Sequence, residues 1–238
     1  LSSKMAYVIK TYHIDILHVH YAIPHAYAGY MAKQMLKREG IEVPMVTTLH
    51  GTDITLEGNH PTYKEAVTFS INESDIVTSV SESLKQDTLR LFRIDKDIKV
   101  IPNFTNIKKS KETSPCKRTV MAKPEELIVT HISNFRKVKR IDDVVRIFYG
   151  IQQKLPAKLI MVGDGPEREI ADQLCKDLGI KSKVLFLGNT SDIDRILCFT
   201  DLFLLPSASE SFGLSALEAM AAGVPVVSSN TGGLPEVN

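Results

Sequence analysis

Short runs of β-branched and apolar residues alternate along this chain with longer stretches of mixed polarity at helical spacing. In the first half, D-I-L-H-V-H-Y (15–21), P-M-V-T-T-L-H (44–50), I-V-T-S-V-S (76–81) and I-K-V-I-P-N (98–103) read as strands. The stretches 25–38, 61–72 and 82–92 between them read as helices, the last opened by Ser81 as N-cap. The first residues read as the middle of a helix, as if an upstream segment were missing. Residues 104–126 turn polar and irregular, the pattern of a domain boundary. The alternation then restarts, with strands expected near 127–133, 158–165, 183–189, 202–207 and 224–230. Helices are expected near 141–154, 167–178, 192–199 and 214–222. Strands alternating with helices predict βαβ units, hence two doubly wound α/β domains with parallel sheets, 1–110 and 111–238. Ligands of such sheets sit beyond the carboxyl ends of the strands, so the loops there are where chemistry is sought.

Composition narrows the class without naming a function. Of 238 residues, 43% are hydrophobic and 24% charged, the balance of a globular protein. A net charge of +1 gives no global field for nucleic acid or an anionic membrane. Cys116, Cys175 and Cys198 form an odd set without C-x-x-C spacing, which favours reduced thiols and a cytoplasmic protein. No apolar run approaches the roughly 20 residues that span a bilayer, and L-S-S-K-M-A-Y-V-I-K is no signal peptide. A homo-oligomer is compatible with all of this.

Three stretches carry candidate chemistry. In S-N-F-R-K-V-K-R (133–140), Arg136, Lys137, Lys139 and Arg140 cluster between a strand and a helix, where a diphosphate would find cations and helix N–H groups. A solvated basic loop explains the same charges equally well. In S-E-S-F-G-L-S-A-L-E, Phe212, Gly213, Leu214 and Ser215 open a helix between Glu210 and Glu218. Carboxylates accept hydrogen bonds from sugar diols while the helix start favours an anion, yet a first-turn acid and a solvent-facing acid are the plain alternative. In T-T-L-H-G-T-D-I-T (47–55), His50 ends a strand and could donate to a hydroxyl or move a proton, although a wall histidine is the commoner case. His18 and His20 share a strand face, but no third ligand has supporting spacing, so no metal site is read. V-G-D-G-P (162–166) is a weak glycine signal that a tight turn, with Pro166 near the helix start, also explains.

Taken together, E-S-F-G-L-S-A-L-E and the following A-M-A-A-G-V-P-V-V-S-S-N-T-G-G-L-P-E resemble the retaining glycosyltransferases of family 4, which have the GT-B fold. The order of strand, basic loop, V-G-D-G-P, F-L-G-N and the paired acids matches that family's nucleotide-sugar domain over 127–238. H-V-H-Y-A-I-P-H-A and T-T-L-H-G-T-D-I-T make the first, acceptor-side domain similar to the branch that transfers N-acetylglucosamine from UDP-N-acetylglucosamine to L-malate in bacillithiol biosynthesis. The resemblance implies that Glu210 contacts the donor sugar, Glu218 the ribose, and Lys139 the phosphate. Asn134 replaces the family's usual arginine, which leaves Arg136 open; backbone groups of Phe212 to Ser215 meet the diphosphate, and Leu187 and Gly188 lie near the uracil. His50 would contact the sugar, with Tyr21 and Thr52 in the acceptor pocket.

It implies transfer with retention of anomeric configuration, without a cofactor or required metal. Another sugar or lipid-linked acceptor is the alternative, and a UDP-sugar epimerase or non-catalytic binder a second. Family members also carry an N-terminal strand with a Gly-rich loop and a C-terminal returning helix. Neither is read here, so the expectation is a partial-length member that binds UDP weakly and transfers slowly or not at all.

Overall fold

The computed structural model describes residues 1–56, 58, 60–106 and 118–238, and the chain divides into two compact units, Leu1–Asn103 and Phe104–Asn238. Both are parallel α/β structures, as the alternating pattern predicts.

The first unit runs α1 (Ser2–Tyr12), β1 (Leu17–His20), α2 (Tyr27–Lys37), β2 (Met45–Leu49), α3 (Pro61–Asn72), β3 (Ile76–Ser79), α4 (Glu82–Leu91) and β4 (Ile98–Val100). The sheet order is β1-β2-β3-β4, with every neighbour parallel. Ala6 and Ile9 of α1 pack against Ala32 and Leu36 of α2 over Val43 and Leu17. Along β2, Met45, Thr47 and Leu49 are buried. The Thr47 hydroxyl is tolerated there because it pairs with Ser74 Oγ at 2.7 Å. Ser81 caps α4 as expected, accepting from Leu84 N at 3.1 Å. The strand read over 98–103 stops at Val100, two residues before Pro102, which has no N–H to give a ladder. The helix read from residue 25 begins as a wide turn, Ala22–Ala26, and becomes α-helical at Tyr27.

The second unit runs β5 (Leu127–Ile132), α5 (Ile141–Gln152), β6 (Ala157–Val162), α6 (Arg168–Asp177), β7 (Val184–Gly188), α7 (Ile193–Leu197), β8 (Leu202–Leu205), α8 (Leu214–Ala221), β9 (Val226–Ser228) and α9 (Leu234–Val237). Its strand order is β7-β6-β5-β8-β9, all parallel. Alternate strand residues enter different cores. Val129, Leu159, Met161 and Leu204 meet Val144, Val145 and Phe148 of α5 and Ala171 of α6. Ile128, Ile160 and Val162 meet Ile196 and Phe199 instead. Phe203 and Leu205 meet Ala216 and Ala219 of α8. Both faces are therefore covered, which explains why β5 and β6 read as nearly continuous apolar runs.

The helix read over 192–199 contracts to α7, and α9 forms in the T-G-G-L-P-E tail, where no helix is expected. Pro166 stands two residues ahead of α6 rather than at its first position. Part of the irregular stretch 104–126 lies outside the described residues, as does Cys116. Its end is pinned by Arg118, which donates to both oxygens of Asp201 at 3.0 and 2.7 Å. Among the described residues, Cys175 is buried and free. Among the described residues, no helix is long and apolar enough to cross a membrane.

Candidate functional site

Because the strands of the second sheet are parallel, the loops after β5, β6, β7, β8 and β9 all leave from its carboxyl edge. The sequence motifs fall on those loops. After β5 the chain passes Ser133, Asn134 and Arg136 into a 3₁₀ turn, Lys137–Lys139. After β8 it passes Ser207 and Glu210 to the start of α8. The two loops are stitched by Ala208 N, which donates to Val138 O at 2.8 Å.

The stitching brings Lys139 Nζ to Glu210 Oε1 at 2.5 Å, with the side chains only 19% and 12% exposed. Ser207 Oγ donates to the same carboxylate oxygen at 2.9 Å. Poorly hydrated charges of opposite sign hold each other far more firmly than a surface pair does. Glu210 is fixed from a third side, since its carbonyl accepts from Gly233 N at 2.8 Å. The tail glycines permit this approach: Gly232 has φ +57, and a Cβ there would overlap the Glu210 carbonyl. T-G-G thus acts as a backbone support for Glu210. The other cations of the loop are differently placed, with Arg140 paired to Asp143, and Arg136 and Lys137 exposed.

Helix α8 begins at Leu214 with Gly213 as a left-handed N-cap, φ +94, and no side-chain cap. Its first-turn amides, those of Leu214 and Ser215 among them, have no intrahelical acceptor and carry the positive end of the dipole. Phe212 is buried beside them. Glu218 lies one turn further on, half-buried; burial raises its pKa, helped by the charge of Asp194. Leu187 and Gly188 end β7, and the Gly188 carbonyl accepts from Gly163 N at 2.8 Å.

Beneath this edge lies a residue that the sequence reading passed over. His131 on β5 is fully buried; its Nδ1 is 2.8 Å from Leu204 O and its Nε2 is 2.7 Å from Ser133 Oγ. Burial pushes its pKa down to about 4, with the Lys139 charge contributing. Between pH 6.5 and about 4 the unfolded chain therefore takes up a proton that the folded chain refuses. Stability of the second unit is expected to fall by about 3 kcal/mol as pH drops through that window. Urea denaturation at pH 7 and pH 4.5 checks this; His131→Gln should flatten the profile, and an unchanged slope would remove His131 as its source.

In the first unit, His50 follows β2 and His20 ends β1. His20 Nδ1 and His50 Nε2 are 2.8 Å apart, and the Tyr21 ring lies 5.0 Å from His50. His18 Nε2 meets Thr48 Oγ1 at 2.8 Å, and Thr48 in turn meets Thr78 at 2.7 Å. Burial and then the neighbouring His20 and His18 lower the pKa of His50, while burial and then His18 and His25 lower that of His20. Both rings are thereby held toward the neutral form, which can donate at one nitrogen and accept at the other.

Thr52 begins the wide turn Thr52–Leu56, and the next residue, Asp53, organises the region. Its buried carboxylate accepts from Ala22 N at 2.6 Å and Gly51 N at 3.1 Å, joining the ends of β1 and β2. No local pattern signals it, because one of its two donors, Ala22, lies 31 positions away. Asp53→Ala would leave those amides unpaired and is expected to cost about 1–3 kcal/mol, read as a lower urea midpoint; no shift would contradict it.

Known proteins give this geometry a family. Residues 117–238 match the model of the glycosyl transferases group 1, and residues 1–109 match glycosyltransferase family 4. The N-acetyl-alpha-D-glucosaminyl L-malate synthase of Bacillus anthracis is 48% identical over 239 residues, covering 100% of this chain and 62% of its own length. A D-inositol 3-phosphate glycosyltransferase of Mycobacterium marinum is 28% identical over 247 residues, covering 94% of this chain and 50% of its own. Among solved structures, Anabaena Alr3699/HepE in complex with UDP and glucose superposes with a TM-score of 0.83 at 25% identity, covering 99% of this chain and 64% of that one. Sucrose-phosphate synthase of Thermosynechococcus elongatus, at 23% identity and a TM-score of 0.77, shares the fold over 98% of this chain and 61% of its own. The chain thus spans under two thirds of the length of these relatives. With its two parallel α/β units and both family models matched in order, the chain belongs to the group 1 and family 4 glycosyltransferases.

Proposed function

We propose that this chain forms the substrate-handling body of a transferase that moves N-acetylglucosamine from UDP-N-acetylglucosamine to the hydroxyl of L-malate, with retention of configuration. The observation that carries the reaction type is the Lys139–Glu210 pair, held at a sheet's carboxyl edge beside the uncapped start of α8. A leaving diphosphate gains negative charge as the glycosidic bond breaks. Lys139 and the first-turn amides of α8 are the groups in this unit suited to meet that charge. Glu210 is suited to the sugar hydroxyls next to the reacting carbon, and Glu218 to the ribose diol. In this reading Asn134 and Arg136 flank the phosphates, and Leu187 and Gly188 border the base. His50, neutral and presenting one free ring nitrogen, contacts the donor sugar, while Tyr21 and Thr52 belong to the acceptor side. The acceptor hydroxyl attacks from the face the diphosphate leaves, which itself takes the proton, so no enzymatic nucleophile is needed.

L-malate as acceptor is supported by the 48% identity to the Bacillus anthracis synthase, whose name gives that product; the place in bacillithiol synthesis and a cytoplasmic setting are part of the proposal and rest on the sequence resemblance. The test is an acceptor screen at the relatives' full length, with UDP-N-acetylglucosamine as donor and UDP release as readout. L-malate should stimulate release well above water, inositol phosphate and lipid-linked sugars. Stimulation by one of those others, and none by malate, would replace the acceptor while leaving the donor chemistry standing.

A further inference from the structure

The hydrogen bonds around His131 fix the direction of one more polar group. Leu204 O is a carbonyl and can only accept, so His131 Nδ1 must carry the proton. The neutral ring then has a bare Nε2, and the hydrogen of the bond to Ser133 must come from the serine hydroxyl. Ser133 is the first residue after β5, where the loop carrying Lys139 leaves the sheet. Its backbone is locked as well. Ser133 N donates to Val162 O at 3.1 Å, and the Ser133 carbonyl faces Gly163, where a Cβ would overlap it. The hydroxyl therefore has fixed backbone geometry and a committed hydrogen, and can offer the site only its lone pairs.

A serine at the mouth of a diphosphate site would ordinarily turn its hydrogen toward a phosphoryl oxygen. This one cannot, unless it gives up a bond to a fully buried imidazole. The geometry points to Ser133 as an acceptor-only contact for an O–H or N–H group of the donor, a sugar hydroxyl or the sugar's amide, with His131 as the residue that positions it. This rests on the reading that the second unit binds a UDP-sugar. It adds a selection rule to that reading: Ser133 has nothing to give the phosphoryl oxygens, and set against a hydroxyl or the amide of the sugar it favours the sugar nucleotide over UDP.

Binding of UDP and of UDP-N-acetylglucosamine to wild type, Ser133→Ala and His131→Phe separates the possibilities, with thermal midpoints confirming folding. For Ser133→Ala, UDP affinity should stay within about twofold while UDP-N-acetylglucosamine weakens roughly 3- to 10-fold, the loss of one neutral hydrogen bond. His131→Phe frees the hydroxyl to rotate, so the preference for the sugar nucleotide over UDP should shrink. Equal losses for both ligands in Ser133→Ala would place the contact on the UDP part that they share and overturn the assignment to the sugar; no loss for either would also overturn it. If wild type at the relatives' full length binds neither ligand, the underlying functional reading falls, and the ligand assigned to Ser133 falls with it. Nitrogen-15 shifts of His131 stay decisive in that case: a protonated Nδ1 with bare Nε2 is expected, and the opposite tautomer would refute the positioning role.

Discussion

Lys139→Ala, in a protein of the relatives' full length, is expected to lower kcat/KM for the UDP-sugar by about 10²- to 10³-fold. The magnitude follows from removing a preorganised donor aimed at charge that develops on the leaving group. The ground state should suffer less, with UDP affinity falling roughly 10-fold, as for a single charge-assisted hydrogen bond. The split between the two numbers matters, because Lys139 also neutralises Glu210, and a purely structural role would lower both through unfolding. Lys139→Arg keeps the charge but replaces a compact ammonium on a buried stem with a planar fork, so partial rescue of UDP binding with poor turnover is expected. UDP-sugar kinetics that survive Lys139→Ala unchanged would show that the pair with Glu210 is a structural staple only.

Glu210→Gln should produce the complementary pattern, a fall in kcat of about 10²-fold with UDP affinity nearly unchanged or improved. The carboxylate competes for Lys139 when no donor is bound, since Oε1 takes hydrogen bonds from both Lys139 Nζ and Ser207 Oγ. Removing its charge frees the ammonium for phosphate, while the sugar keeps only a neutral amide oxygen in place of two carboxylate oxygens. Steady-state kinetics alongside UDP titration reads both quantities. A variant that lost UDP binding and turnover in equal proportion would place Glu210 in the scaffold instead of against the sugar.

The sequence was most legible where one physical signal dominated. The alternation of short apolar runs with helical stretches announced the strands β5 and β6, and Ser81 announced the start of α4. Local pattern was weaker wherever a partner far along the chain decides the outcome. The Lys139–Glu210 pair joins residues 71 positions apart, and nothing in either loop alone says which of four cations is the buried one. Arg140 turned out to serve its own helix through Asp143, three residues further on. His131 looked like one more strand residue, because its two hydrogen-bond partners come from a neighbouring strand and from the chain's own next turn. Likewise T-G-G-L-P-E carried family resemblance but no visible reason for its glycines until Gly232 was found against the Glu210 carbonyl.

The central claim is a transfer that retains configuration at the sugar's anomeric carbon and ends on L-malate. Proton NMR of the product formed from UDP-N-acetylglucosamine and L-malate, recorded as it accumulates, tests it most directly. The account predicts an O-glycoside of N-acetylglucosamine on the malate hydroxyl whose anomeric proton shows the small coupling of an α linkage, matching the donor. A large β-type coupling from the first turnovers, or UDP release that yields free N-acetylglucosamine with malate untouched, would contradict it.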